Sequence, residues 1–256
     1  MATPLTAAKF LAALRAEGVR VQEHGDWPHH NRNHKGPWGP VHGVMIHHTV
    51  TKGTDNTVKI VRDGYADLPG PLCHGMIAKN GVVHLIGYGR ANHAGLGDDD
   101  VLRAVIAEKA LPPDNEANTD GNRAFYGFEC ENLGDGKDPW PAEQLEAIEK
   151  VSAAICRAHG WTAASVIRHL DWQPGKVDPR GVDWTSMHSR IATRLKTKPG
   201  SGSSTTVYKV GRGDTLWSIA ASKLGNGARY KEIAKLNGLK DADKLTPGQE
   251  LKLPKK

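Results

Sequence analysis

An apolar run, Val44-Met45-Ile46, stops abruptly on His47, His48 and Thr49. Short and uninterrupted by polar residues, it reads as a strand of a sheet covered on both faces, the arrangement of α/β proteins. Side chains alternate across a strand, so His47 and His48 point to opposite faces and cannot share one pocket. One of the pair is a candidate metal ligand and the other a supporting residue. Ser165-Val166-Ile167-Arg168 ends on His169 in the same way, and Asp178 follows nine positions later. Two imidazoles and one carboxylate, with a position left for water, form the ligand pattern of a catalytic zinc centre. Such an ion polarises a carbonyl and acidifies water, which suits amide hydrolysis.

The segments around these strands alternate between helical and extended patterns. Thr6 is placed to cap a helix with Phe10, Leu11 and Leu14 on one face, ending near Glu17 and Gly18. A loop rich in Gly, Pro, His and Trp covers residues 24–40. Thr54 and Asp55 can cap a helix through Val58, Ile60 and Val61. Residues 72–78 and 82–86 flank Lys79-Asn80-Gly81, a strong hairpin signal. Gly-rich residues 87–97 contain His93-Ala94-Gly95, and a short helix is expected at 101–109. Residues 125–132 read as a strand with Phe128 and Cys130 on one face and Glu129 and Glu131 on the other. Pro141 opens a helix with an apolar stripe of Leu145, Ile148, Val151 and Ile155, ended by Gly160. A last helix runs from about Thr185. The expected fold class is therefore α/β, a central mixed sheet flanked by helices.

Residues 196–206, with Pro199-Gly200-Ser201-Gly202-Ser203-Ser204, have the composition of a flexible linker. They divide the chain into an expected large domain at 1–195 and a module at 207–256 that reads strand, helix, helix, strand (βααβ). A core of about fifty residues is marginal and suits a binding unit better than an enzyme. The net charge of +6 lies in this tail: residues 206–256 hold 11 Lys/Arg against 5 Asp/Glu. The lysines are spread rather than clustered, and no recognition helix or RNA-binding signature is present, so no nucleic-acid partner is expected. An anionic surface such as a cell wall is an electrostatically suitable partner. Cys73, Cys130 and Cys156 are odd in number, far apart and without CxxC spacing, which fits a reducing cytosol rather than a disulfide framework. No stretch approaches the length of a membrane span, so no membrane insertion is expected. The opening residues 1–5 lack the pattern of a secretion signal.

The ordered set Met45-Ile46-His47-His48-Thr49, His93-Ala94-Gly95, Gly127-Phe128-Glu129-Cys130-Glu131-Asn132, Ile167-Arg168-His169 and Lys176-Val177-Asp178-Pro179 resembles the zinc-dependent type-2 N-acetylmuramoyl-L-alanine amidases. That family shares its fold with the peptidoglycan recognition proteins, and the resemblance covers roughly residues 40–195. It implies His47, His169 and Asp178 as ligands of Zn2+, with His47 preferred over His48. It implies Glu129 as catalytic base and Lys176 as the cation that stabilises the oxyanion. Glu131 remains a rival base on the same strand face. His93 and Asn132 are taken as substrate-binding positions, with His93 either touching substrate or only shaping its loop. Many relatives use cysteine as third ligand, where Asp178 stands here, and some use a tyrosine at the position of Cys73.

The tail resembles a LysM domain along its whole length, through residues 208–220, Asn237-Gly238-Leu239 and Leu245-Thr246-Pro247-Gly248-Gln249. This implies binding of N-acetylglucosamine-containing glycan, with Asp214, Thr215 and Leu216 in the groove; a core role for Leu216 and a capping role for Asp214 stand beside that reading. Together the resemblances imply a monomeric peptidoglycan hydrolase cleaving the lactyl amide between N-acetylmuramic acid and L-alanine. Without a secretion signal, the expectation is a bacteriophage endolysin made in the host cytoplasm and released by a holin. The alternatives are a bacterial autolysin and a non-catalytic peptidoglycan receptor.

Overall fold

The computed structural model describes residues 2–200, 206–239 and 241–254, and only the backbone of Thr206. The chain divides into two compact units, Met1–Ser201 and Gly202–Lys256. Of the expected linker, residues 196–200 form turns and 201–205 lie outside the described residues.

The first unit runs α1 (Ala7–Ala16), β1 (Val21–Glu23), β2 (Gly43–His48), α2 (Thr54–Asp63), β3 (Gly75–Ile77), β4 (Val83–Leu85), β5 (Leu96–Gly97), α3 (Asp99–Ile106), β6 (Thr119–Asp120), α4 (Gly121–Ala124), β7 (Phe125–Cys130), α5 (Ala142–His159), β8 (Val166–Arg168) and α6 (Trp184–Leu195). Six strands form one sheet in the order β1-β4-β3-β7-β2-β8. β3, β7, β2 and β8 are mutually parallel, and β4 is antiparallel to β3. The mixed α/β sheet expected from the sequence is thus present. β1, an edge strand parallel to β4, is an addition: three residues of an edge strand are too few to show a period.

All six residues of β2 are buried, as a central strand covered on both faces requires. Val44 and Ile46 face a core shared with Tyr126, Phe128 and Val166 of neighbouring strands, Phe10 and Leu14 of α1, Ile148 and Val151 of α5, and Ile191 of α6. Met45 faces the other way, onto Phe125, Ile167, Trp172 and Val101 of α3. On this second face Met76 joins Val58 and Val61 of α2. The result is a three-layer arrangement in which α5, the longest helix, covers the first face and stops at Gly160, whose φ of +72° is the left-handed cap conformation.

The start of α2 departs from expectation. Thr54 is its first helical residue, and the cap comes from another element: Glu131, just past β7, accepts the Gly53 N–H at 2.9 Å and the Thr54 hydroxyl at 2.8 Å. A carboxylate at a helix N-terminus satisfies orphan donors and complements the helix dipole. This long-range cap ties the exit of β2, through residues 49–53, to the exit of β7.

The second unit comprises β9 (Thr206–Lys209), α7 (Leu216–Leu224), α8 (Tyr230–Leu236) and β10 (Glu250–Leu253), with β9 and β10 antiparallel. Its core is Val210, Leu216, Ile219, Ala220, Leu224, Ile233, Leu251 and Leu253. Thr215 caps α7 by accepting the Ser218 N–H at 3.0 Å. Among the described residues no helix is long and apolar enough to cross a membrane.

Candidate metal centre

The parallel strands β2, β7 and β8 all end on the same side of the sheet, where open α/β sheets place their ligands. Register decides which side chains meet there. His47 lies opposite Glu129 of β7, and Ile46 lies opposite Arg168 of β8, so His169 leaves β8 beside His47. The loop after β8 folds back, Leu170 N–H bonding to the Asp178 carbonyl at 2.9 Å, and returns Asp178 to the two imidazoles.

Three ligand atoms then form a nearly equilateral triangle. His47 Nδ1 is 3.0 Å from His169 Nδ1 and 3.2 Å from Asp178 Oδ2, and His169 Nδ1 is 3.1 Å from the same oxygen. A tetrahedral ion about 2.0–2.1 Å from nitrogen keeps its ligand atoms about 3.3 Å apart. The triangle therefore fits a divalent cation closely, and three buried acceptors facing one another call for one. The set can hold a metal ion. Burial pushes the His47 imidazolium down to about 4, with the ring of His169 adding to it, so His47 is neutral as a ligand must be. Burial alone would raise Asp178, but the His169 and His47 imidazoles beside its Oδ2 outweigh it and hold the carboxylate well below its usual range.

Each ligand imidazole is anchored at its other nitrogen. His169 Nε2 lies 3.2 Å from Gln173 Oε1, and His47 Nε2 lies 3.1 Å from His93 Nδ1. Such partners fix ring orientation and tautomer in metal sites. His48 takes the opposite face, as alternation demands, and its Nδ1 accepts the Arg180 N–H at 3.1 Å.

Glu129 Oε1 is 4.0 Å from His47 Nδ1, while Oε2 is buried without a hydrogen-bond partner among the described residues. Burial pushes this carboxyl well above its ordinary value; Asp178 adds to the shift and Lys176 opposes it. A buried carboxyl with a raised pKa beside three candidate ligand atoms is suited to general acid–base work. Glu131 is separated from this role because both of its oxygens are occupied at the start of α2. Lys176 is exposed on the loop before Asp178, and its positive charge reaches both Glu129 and His47.

Other expected site residues are placed differently. Asn132 is 1% exposed, and its amide donates to the Asp138 carbonyl while its oxygen accepts the Gly134 N–H, so it shapes the loop after β7 from within. Cys73 is a free thiol packed with Leu72, Met76 and Val61, and burial raises it well above its ordinary value, which leaves it un-ionised. In the second unit Leu216 is core at 2% exposure, and Asp214 accepts from the Tyr208 hydroxyl and the Gly211 N–H. A second acidic group, Asp98 to Asp100, is a helix cap: Asp98 accepts from the N–H groups of Asp100 and Asn115. Sequence reasoning missed His74, Asn122 and Gln173. Gly127, inside an otherwise bulky strand, signals a close approach at that point, and His74 and His93 both meet the backbone there.

An α/β domain with two histidines and a carboxylate gathered at the carboxyl ends of its parallel strands is of the class whose site could hold a metal ion. The sequence model of the N-acetylmuramoyl-L-alanine amidase family matches residues 37–181, more than half of the chain, and the chain belongs to that family. The LysM domain model matches residues 208–254, so a LysM domain follows. The chain is 29% identical over 189 residues to N-acetylmuramoyl-L-alanine amidase XlyB of Bacillus subtilis, covering 69% of this chain and 58% of that protein. Among solved structures, the catalytic domain of XlyA aligns at 19% identity with a TM-score of 0.47, over 68% of this chain and 99% of that one. The endolysin amidase LysCS from Clostridium intestinale aligns at 15% identity with a TM-score of 0.45, over 67% of this chain and 95% of that one.

Proposed function

We propose that the chain is a zinc-dependent N-acetylmuramoyl-L-alanine amidase that hydrolyses the lactyl amide of peptidoglycan and is held on the wall by its LysM domain. The observation that carries this reading is the triangle of His47, His169 and Asp178 with Glu129 beside it, in a chain of the amidase family. Zinc, when bound, supplies Lewis acidity toward the carbonyl and lowers the pKa of water. Glu129 takes the proton of the attacking water and delivers it to the departing amine, the two transfers that a carboxyl with a raised pKa performs well near neutral pH. Lys176 places a positive charge where the oxyanion develops. Asp178 contributes the negative charge that makes a trio with two neutral imidazoles attractive to a dication.

The same proposal includes a monomeric protein that binds N-acetylglucosamine-containing glycan through the LysM domain and reaches the wall after holin-mediated release. Lysis of host cells expressing the chain with and without a holin decides that last part. Product analysis of digested walls tests the chemistry. New free L-alanine amino groups, lost on chelation and regained with zinc, are expected. New reducing sugar ends would refute it, and walls that are bound but chemically unchanged would favour a receptor.

A further inference from the structure

His93 sits in an environment that does not suit a residue touching substrate. A side chain that touches substrate lies open to the site, yet His93 is 7% exposed and its ring is edge-on to His47, with centroids 5.2 Å apart. Its backbone is pinned: the N–H groups of His93 and Ala94 both donate to Asn122 Oδ1 at 2.8 Å. Its ring lies directly over Gly127 of β7, where a Cβ would come within 2.4 Å of His93 Nδ1. Behind it stands His74, whose Nδ1 accepts the Gly127 N–H and whose Nε2–H donates to the Gly89 carbonyl. The ring is thus wedged in place with one nitrogen aimed at His47 Nε2, 3.1 Å away.

That placement has a chemical consequence. His47 presents Nδ1 to the ligand triangle, and a neutral imidazole with a free lone pair on Nδ1 carries its proton on Nε2. The Nε2–H then needs an acceptor, and His93 Nδ1 is the acceptor in reach. His93 in turn carries its own proton on Nε2, away from His47. Gln173 Oε1 does the same for His169, so each ligand histidine has one dedicated acceptor on its far nitrogen.

Building on the metal-centre reading above, we propose that His93 is a positioning residue: it accepts the Nε2–H of His47, fixes the tautomer that offers Nδ1 to the metal, and thereby sets metal affinity, while Gly127 provides the room for its ring. Outer-shell partners of this kind change metal affinity about 10–100-fold.

The test uses the full chain and zinc competition against a chromophoric chelator at fixed pH. Two variants are compared, His93→Leu, which keeps bulk without an acceptor, and His93→Gln, whose amide oxygen can accept. His93→Leu is expected to bind zinc about 10–100-fold more weakly, and His93→Gln to recover most of that loss, with unchanged melting of both metal-free variants. Equal affinity of His93→Leu and parent overturns the proposal, as does an equal loss in both variants, which marks a packing effect. Nitrogen NMR of the zinc-loaded parent gives a second readout that needs no variant to fold. His47 protonated at Nε2 and His93 unprotonated at Nδ1 support the proposal, and a proton on His93 Nδ1 overturns it. A parent chain that binds no zinc overturns the metal-centre reading itself, an outcome separate from any difference between variants.

Discussion

Replacing Glu129 by Gln should make the metal-free protein more stable and the enzyme nearly inactive. In the folded chain Glu129 Oε2 is buried without a hydrogen-bond partner among the described residues, and burial raises the carboxyl well above its ordinary value of 4.5. Because the folded state holds this proton more tightly than the unfolded state, the group costs stability as pH rises above about 4.5 toward the folded pKa. Held charged in this buried site, the carboxylate costs about 1–3 kcal/mol or more relative to a neutral amide of the same shape. For a domain of this size each kcal/mol moves the melting temperature by about 2–4 °C. Glu129→Gln in chelator should therefore melt roughly 2–12 °C above the parent at pH 8. The gain should vanish near pH 4, where both chains are neutral at this position, and shrink when zinc is added, because a dication near Oε1 favours the carboxylate. Loss of the general base should lower turnover about 10²–10⁴-fold, or about 2.7–5.5 kcal/mol in the barrier. Calorimetry across pH and the appearance of free L-alanine amino groups in a soluble muropeptide measure the two effects. Parental turnover, or a melting difference independent of pH, would show that Glu129 is neither strained nor catalytic.

Three further outcomes are expected. Asp178→Asn removes the anionic ligand from the triangle and should weaken zinc binding by more than the roughly 100-fold upper range for outer-shell changes, with activity no better than that of the chelated parent; competition titration reads this. Leu216→Ala opens a cavity in the small core of the LysM domain, costing about 2–5 kcal/mol. It should abolish retention on sedimented walls while leaving hydrolysis of soluble muropeptide intact; loss of retention without loss of that domain's melting transition would instead mark Leu216 as a glycan contact. His24 Nε2 and His84 Nδ1 share a hydrogen bond at 2.8 Å, and burial lowers both rings below 6.5, with His24 itself adding to the shift at His84. Their contribution is present above pH 6.5 and lost as pH falls, so urea titrations between pH 7.5 and 5 should show a shallower loss in His24→Gln than in the parent.

The central strand and its alternation were readable in the chain itself. Val44 to His48 read as a covered strand, and period two put His47 and His48 on opposite faces, as found. The hairpin at Asn80-Gly81 and the helix opened by Pro141 and closed by Gly160 were likewise legible, because turn and cap chemistry is local. The candidate ligands were legible as residue types in order. What local pattern cannot carry is which strands become neighbours. Glu129 and Glu131 are equivalent by alternation, and they diverge because Glu129 lies in register with His47 while Glu131 meets the start of α2. Asn132 was taken as a substrate position by motif, yet burial turned it inward, and of the two roles open to Leu216, core and glycan contact, the structure places it in the core.

The sequence by itself determined the α/β class, the two-part layout and the donor set of two imidazoles and a carboxylate, since periodicity, composition and side-chain chemistry belong to single segments. The tertiary structure alone decided that His47, His169 and Asp178 close to 3.0–3.2 Å, that Glu129 Oε2 is buried beside them with no partner among the described residues, and that His93 turns toward His47 rather than outward. These are distances between residues up to 131 positions apart, fixed by strand register and packing rather than by anything within a single segment.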